Sequence, residues 1–177
     1  MKQMTKRKFI NALAAAVLLF IAVGFIYPIM FKNRIPSAAM SALTTDPKPV
    51  LFSLYPERFI HKDGSIMPLP ESSPKFCGYE ILGQTVIESA TDRALVVETI
   101  VNGIRNWKGG RAACFEPRHG VRVSGEGGSY DFLICFACSQ VFIKLPDGTT
   151  ADLGISASGK PLSEILSAAS VPLPTRR

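Results

Sequence analysis

Acidic residues are missing from the first 45 positions of this 177-residue chain, and every Asp and Glu lies at Asp46 or later. Six of the twenty Lys and Arg stand in that acid-free stretch: Lys2, Lys6, Arg7, Lys8, Lys32 and Arg34. The other fourteen are matched by fourteen acids, so the chain beyond Arg34 is formally neutral. The net charge of +6 is therefore no footprint of nucleic-acid binding, which needs its basic residues clustered on the folded domain. Other absences narrow the function further. The chain has two histidines, and no serine-nucleophile motif, paired-carboxylate signature or phosphate-cradling loop. The GEGG at Gly125–Gly128 falls in a hairpin turn with no helix behind it, so it is not a nucleotide loop. There is no lipobox cysteine and no internal repeat, and no cofactor is expected.

What is present begins with 23 uncharged positions, residues 9–31, FINALAAAVLLFIAVGFIYPIMF. As a helix rising about 1.5 Å per residue the run spans roughly 34 Å, enough for a hydrocarbon core of about 30 Å. Four cationic side chains precede it and two follow, which predicts a cytoplasmic N-terminus and a translocated C-terminal bulk. The run exceeds the 7–15 apolar residues of a signal peptide, so it reads as a retained single-pass anchor in a bacterial inner membrane. Ser37, Ala38 and Ala39 are the small residues that a cleavage would use. The expected organisation is a basic tip and anchor over 1–34, a tether over 35–49, one exported domain over 50–172 and a short tail over 173–177.

The expected domain is α+β, a largely antiparallel sheet with two packed helices. Val50–Leu54 reads as a first or edge strand, and Tyr79–Glu88 as a strand with a bulge at Gly83. Thr91 or Asp92 reads as an N-cap for an amphipathic helix over Arg93–Trp107, whose apolar stripe includes Val96, Ile100 and Ile104. A hairpin follows. One arm holds Arg111–Phe115 and Gly120–Val123, the turn is Ser124–Ser129, and the return arm is Tyr130–Lys144. That return arm is apolar at both parities, as expected of a strand covered on both faces. Pro146-Asp147-Gly148 is a turn, Met67–Pro74 a proline-rich loop, and a last helix runs from about Pro161 to Ser170.

Three of the four cysteines, Cys114, Cys135 and Cys138, fall with His119 on the two arms of the hairpin. Along a regular strand Cys135 and Cys138 lie about 10 Å apart, too far for a bond. The expected bridge is therefore cross-strand, Cys114 to Cys138 or, with a one-residue slip, to Cys135. Three Cys and one His are also an accepted zinc set, so zinc on Cys114, His119, Cys135 and Cys138 stays as an alternative. A thiol redox pair needs a helix N-terminus at its first Cys, and strand and turn residues follow here instead. Buried free thiols complete the alternatives. His61 reads as turn surface. Arg105, Lys108, Arg111, Arg118 and Arg122 form the one local positive concentration, which suits an anionic ligand or a solvated sheet edge.

The segments ACFEPRHGVRV (Ala113–Val123) and DFLICFACSQV (Asp131–Val141) resemble those of a set of uncharacterised bacterial exported proteins. The resemblance implies one intact domain from about Tyr79 to Val171-Pro172, with Cys77 outside the shared pattern. No activity comes with it. The expected function is a membrane-anchored envelope module, non-catalytic, with the bilayer as one partner and an envelope protein or cell-wall polymer as another. The alternative is a thiol redox or zinc-stabilised protein built on the Cys114, His119, Cys135 and Cys138 set.

Overall fold

The structure, a computed structural model, describes residues 33–56 and 74–174. The predicted anchor at 9–31, His61 and the proline-rich stretch up to position 73 lie outside the described residues. Among the described residues no helix is long and apolar enough to cross a membrane. The described residues from Ile35 onward form one compact unit.

In chain order the elements are α1 (Ser37–Thr45), β1 (Val50–Leu54), β2 (Lys75–Phe76), β3 (Tyr79–Val86) and α2 (Ala90–Arg105). They continue with β4 (His119–Gly125), β5 (Gly128–Cys135), β6 (Gln140–Lys144), β7 (Thr150–Gly154) and α3 (Lys160–Ala168). The fold is α+β. Among the described residues seven strands form one sheet in the order β2-β3-β1-β4-β5-β6-β7, antiparallel at every pairing.

Alternation along the strands sorts side chains onto two faces. Leu51, Val121, Phe132, Ile134, Val141 and Leu153 occupy the first face. The helices α1, α2 and α3 bury their apolar stripes there, through Ala39 and Leu43 of α1, Val96 and Ile100 of α2, and Leu162 and Leu166 of α3. The second face carries a smaller cluster, Phe52, Leu54, Phe76 and Leu133. Phe52 and Phe76 stack there with ring centroids 4.3 Å apart.

Several sequence expectations need correction. β1 lies inside the sheet, between β3 and β4, rather than at its edge. The predicted tether is helical over Ser37–Thr45 and belongs to the core: a Cβ on Gly125 of β4 would come within 2.6 Å of Ala42. Asp46 closes α1 and accepts the Ser124 N–H at 2.6 Å, which ties the helix end to β4. α2 starts earlier than expected, because Ser89 is the cap and its Oγ accepts the Asp92 N–H at 3.3 Å. The irregularity in β3 is real, since the β1 register slips where Ser53 pairs with Gly83 and Leu54 with Ile81.

The largest correction concerns the return arm. It is two strands, β5 and β6, folded about a turn at residues 136–139. Ser139 adopts φ 55°, the left-handed conformation that reverses the chain there. With the strand ended, Cys135 and Cys138 have Cα atoms 5.2 Å apart and are disulfide-bonded to each other. The expected bridge from Cys114 does not form; Cys114 and Cys77 are free. After β6 the Pro146-Asp147-Gly148 turn leads into β7, an edge strand that the polar TADLG segment did not announce. α3 begins with Pro161 in its first turn, as expected.

Candidate functional site

The turn at 136–139, the start of β4 and the first turn of α3 meet at one end of the sheet around a cavity of about 540 Å³. His119 is the first residue of β4, and strand alternation points it to the helix-covered face. Ser163 lies one turn into α3, where Pro161 fixes the helix start. His119 Nε2 and Ser163 Oγ sit 3.0 Å apart, bridging positions 44 residues apart in sequence. Phe136 from the turn packs edge-on against the imidazole, ring centroids 5.5 Å apart. Leu173 and Pro174, just past α3, supply further apolar wall, and Arg118 and Glu116 supply charge.

His119 is only 6 % exposed. Its Nδ1 is buried and makes no hydrogen bond within the described chain. Burial without a counter-charge pushes the imidazole down from 6.5 to about 4, and the neighbouring Arg118 charge adds to the effect. At neutral pH the ring is uncharged, with a lone pair on one of its nitrogens. Ser53 of β1 lies directly across from His119 in the ladder, so the two share the buried face. Its Oγ is likewise buried without a hydrogen-bond partner.

The disulfide shapes this cavity. Cys135 lines it, and Cys135 and Cys138 are 2 % and 3 % exposed. The Cys138 N–H donates to Cys135 Sγ at 3.1 Å, and the Cys138 carbonyl accepts from Ala112 at 3.1 Å. These bonds pin the turn that presents Phe136. Neither sulfur stands at a helix N-terminus or open to solvent, as a thiol-exchange pair requires.

The four members of the proposed zinc set do not converge. Cys135 and Cys138 are joined to each other, and Cys114 is exposed on the segment before β4. Among the described residues no three His, Cys, Asp or Glu are grouped to hold a metal. The five cations of the expected anionic patch are dispersed as well. Arg111 pairs with Asp152 at 2.7 Å and lies over the Trp107 ring. Arg122 points to the second face and is held bidentately by Asp131, Nε to Oδ1 at 2.7 Å and Nη2 to Oδ2 at 2.8 Å. Arg105 and Lys108 are exposed at and beyond the end of α2, and Arg118 alone faces the cavity.

Sequence reasoning singled out His119 and missed Ser163, Ser53 and Asp131. Ser163 carries no local signal: it is an ordinary helical serine until the chain topology sets it beside His119. Asp131 had a weak one, a carboxylate inside an otherwise apolar strand.

No family model, curated protein or solved structure matches the chain.

Proposed function

We propose that this chain is an extracytoplasmic domain, tethered to the bacterial inner membrane by residues 9–31, that binds a small amphiphilic ligand at His119 and Ser163. The observation that carries this reading is the neutral, buried His119, bonded to Ser163 at 3.0 Å with Nδ1 unsatisfied, at the wall of a 540 Å³ cavity. A volume of that size suits a small molecule, given the usual range of about 300–1,000 Å³ for ligand sites. Phe136, Leu173 and Pro174 would take an apolar body, and His119, Ser163 and Arg118 a polar or anionic head. The Cys135–Cys138 bond fits an oxidising compartment, as the topology of the predicted anchor requires.

Octanoate, an apolar chain with an anionic head, is a direct probe. Titrated against the full-length protein, it should shift the His119 ring resonances saturably. The shift should weaken in Arg118→Ala and vanish when Gly159→Val fills the cavity, since even a Cβ there meets Phe136 at 2.7 Å and His119 Cε1 at 3.2 Å. Resonances that stay unmoved in the wild type would contradict the reading.

A further inference from the structure

We infer that Ser163, His119 and Ser53 form a nucleophile, base and orienting group for acyl transfer, and that the ligand is an ester of a short apolar acyl chain. The inference rests on the binding reading above and adds chemistry to it. A serine hydroxyl becomes nucleophilic when a base within about 2.6–3.2 Å takes its proton. His119 Nε2 lies at 3.0 Å from Ser163 Oγ, faces a cavity, and is neutral, so the base form is the one present.

For Nε2 to accept, the ring proton must sit on Nδ1, and a buried N–H needs an acceptor. Ser53 supplies the candidate. The Leu54 N–H donates to the Arg118 carbonyl at 3.0 Å, which makes Leu54 and Arg118 a hydrogen-bonded pair of the antiparallel ladder. Ser53 and His119 are then the adjoining non-hydrogen-bonded pair, in which Cα atoms approach to about 4.5 Å and side chains lie closest. Their two orphaned polar atoms, Ser53 Oγ and His119 Nδ1, are buried on the same face. Catalytic hydrogen bonds of this kind commonly tighten only when substrate binds. Ser53 is thus a positioning residue, acting through His119.

The step balances without a cofactor. Ser163 Oγ adds to the ester carbonyl carbon while its proton passes to His119 Nε2. The bond from carbonyl carbon to alkoxy oxygen breaks, and His119 returns the proton to the departing alcohol. Water repeats the sequence, releasing the acid and restoring Ser163. The Arg118 guanidinium, at the same cavity, opposes charge on the imidazole but favours the oxyanion of the tetrahedral intermediate.

An alkyl fluorophosphonate tests this in the full-length protein. Ser163 Oγ displaces fluoride from phosphorus, leaving a stable adduct that peptide mapping locates. The expected result is one adduct, on Ser163, absent in Ser163→Ala. Labelling should slow by about 100-fold or more in His119→Gln, the lower end of what a general base contributes. Ser53→Ala should slow it about fivefold, the rate equivalent of one neutral hydrogen bond. A nitrogen spectrum of the His119 ring separates positioning from mere packing: the ring proton should sit on Nδ1 in the wild type and move to Nε2 in Ser53→Ala. Octanoate binding without an adduct on Ser163 would overturn the inference and leave the binding reading standing. Absence of both would overturn the two together.

Discussion

The two faces of β4 hold polar groups on opposite terms. On the second face, Arg122 and Asp131 sit directly across from each other in the β4–β5 ladder and satisfy one another through two short hydrogen bonds. Cys77 joins them, its thiol donating to Asp131 Oδ2 at 3.4 Å, and Arg122 lies over the Phe76 ring at 5.2 Å. That network is closed. Three residues earlier on the same strand, His119 is buried with one partner where it has two nitrogens to satisfy. A closed network stabilises a sheet; an open one beside a cavity leaves hydrogen-bonding capacity for a ligand. Sites of these two kinds should respond differently to the same perturbations.

The largest difference concerns acid. His119 is held near 4 in the folded chain and returns to about 6.5 on unfolding. Between those values the unfolded chain binds more protons, so stability rises with pH there. The contribution is complete above pH 6.5 and is lost as pH falls through about 4, a difference on the order of 3 kcal/mol. Urea unfolding across this window should show the slope in the wild type and lose it in His119→Gln. The second face should break instead by truncation. Asp131→Ala leaves Arg122 without its carboxylate and should cost about 2 kcal/mol at neutral pH. The loss falls short of that for a fully buried pair because the Arg122 side chain keeps 43 % of its surface exposed.

Reducing Cys135–Cys138 should cost roughly 2 kcal/mol, the chain-entropy value for a loop of about four residues. Its signature is local: octanoate binding at His119 should fall, while the Arg122–Asp131 pair stays intact. Glycine substitutions sharpen the contrast. Gly120→Ala drives a Cβ to 2.7 Å from the buried Phe76 ring and should cost about 1–3 kcal/mol of stability. Gly159→Ala meets the half-buried Phe136, which has room to yield, and should cost under about 1 kcal/mol while weakening ligand binding. The smallest effect is chemical. Burial, aided by the Asp131 charge, pushes the Cys77 thiol up to about 11. Iodoacetamide at pH 8 should therefore modify the exposed Cys114 first and Cys77 slowly, with Cys135 and Cys138 untouched.

The backbone elements were easier to anticipate than the polar groups on either face, Asp131 and Ser163 included. Apolar and β-branched composition placed β1 and β3 within two residues, and the apolar stripe of α2 announced itself, but Arg111–Phe115, expected in the first hairpin arm, forms no strand because β4 begins only at His119. The 15-residue apolar run Tyr130–Lys144 misled because β-propensity is high on both sides of the break. Its length was the available warning, since strands are usually 3–10 residues long. Without Gly or Pro, the turn depends on Ser139 in a left-handed conformation and on a disulfide whose partners only the turn brings together. α1 was hidden by a small, Ser- and Thr-rich composition; its burial comes from close approach to Gly125, a contact 83 residues away from Ala42. The site itself is wholly non-local. β4, α3 and the 136–139 turn each contribute an ordinary residue, and only the topology turns His119 and Ser163 into a pair.

Nitrogen resonances of the His119 ring, followed against pH in the full-length protein, test that pairing most directly. The ring should remain neutral until pH approaches about 4, and Ser163→Ala should shift its Nε2 signal. A midpoint near 6.5 with no response to Ser163→Ala would contradict the account.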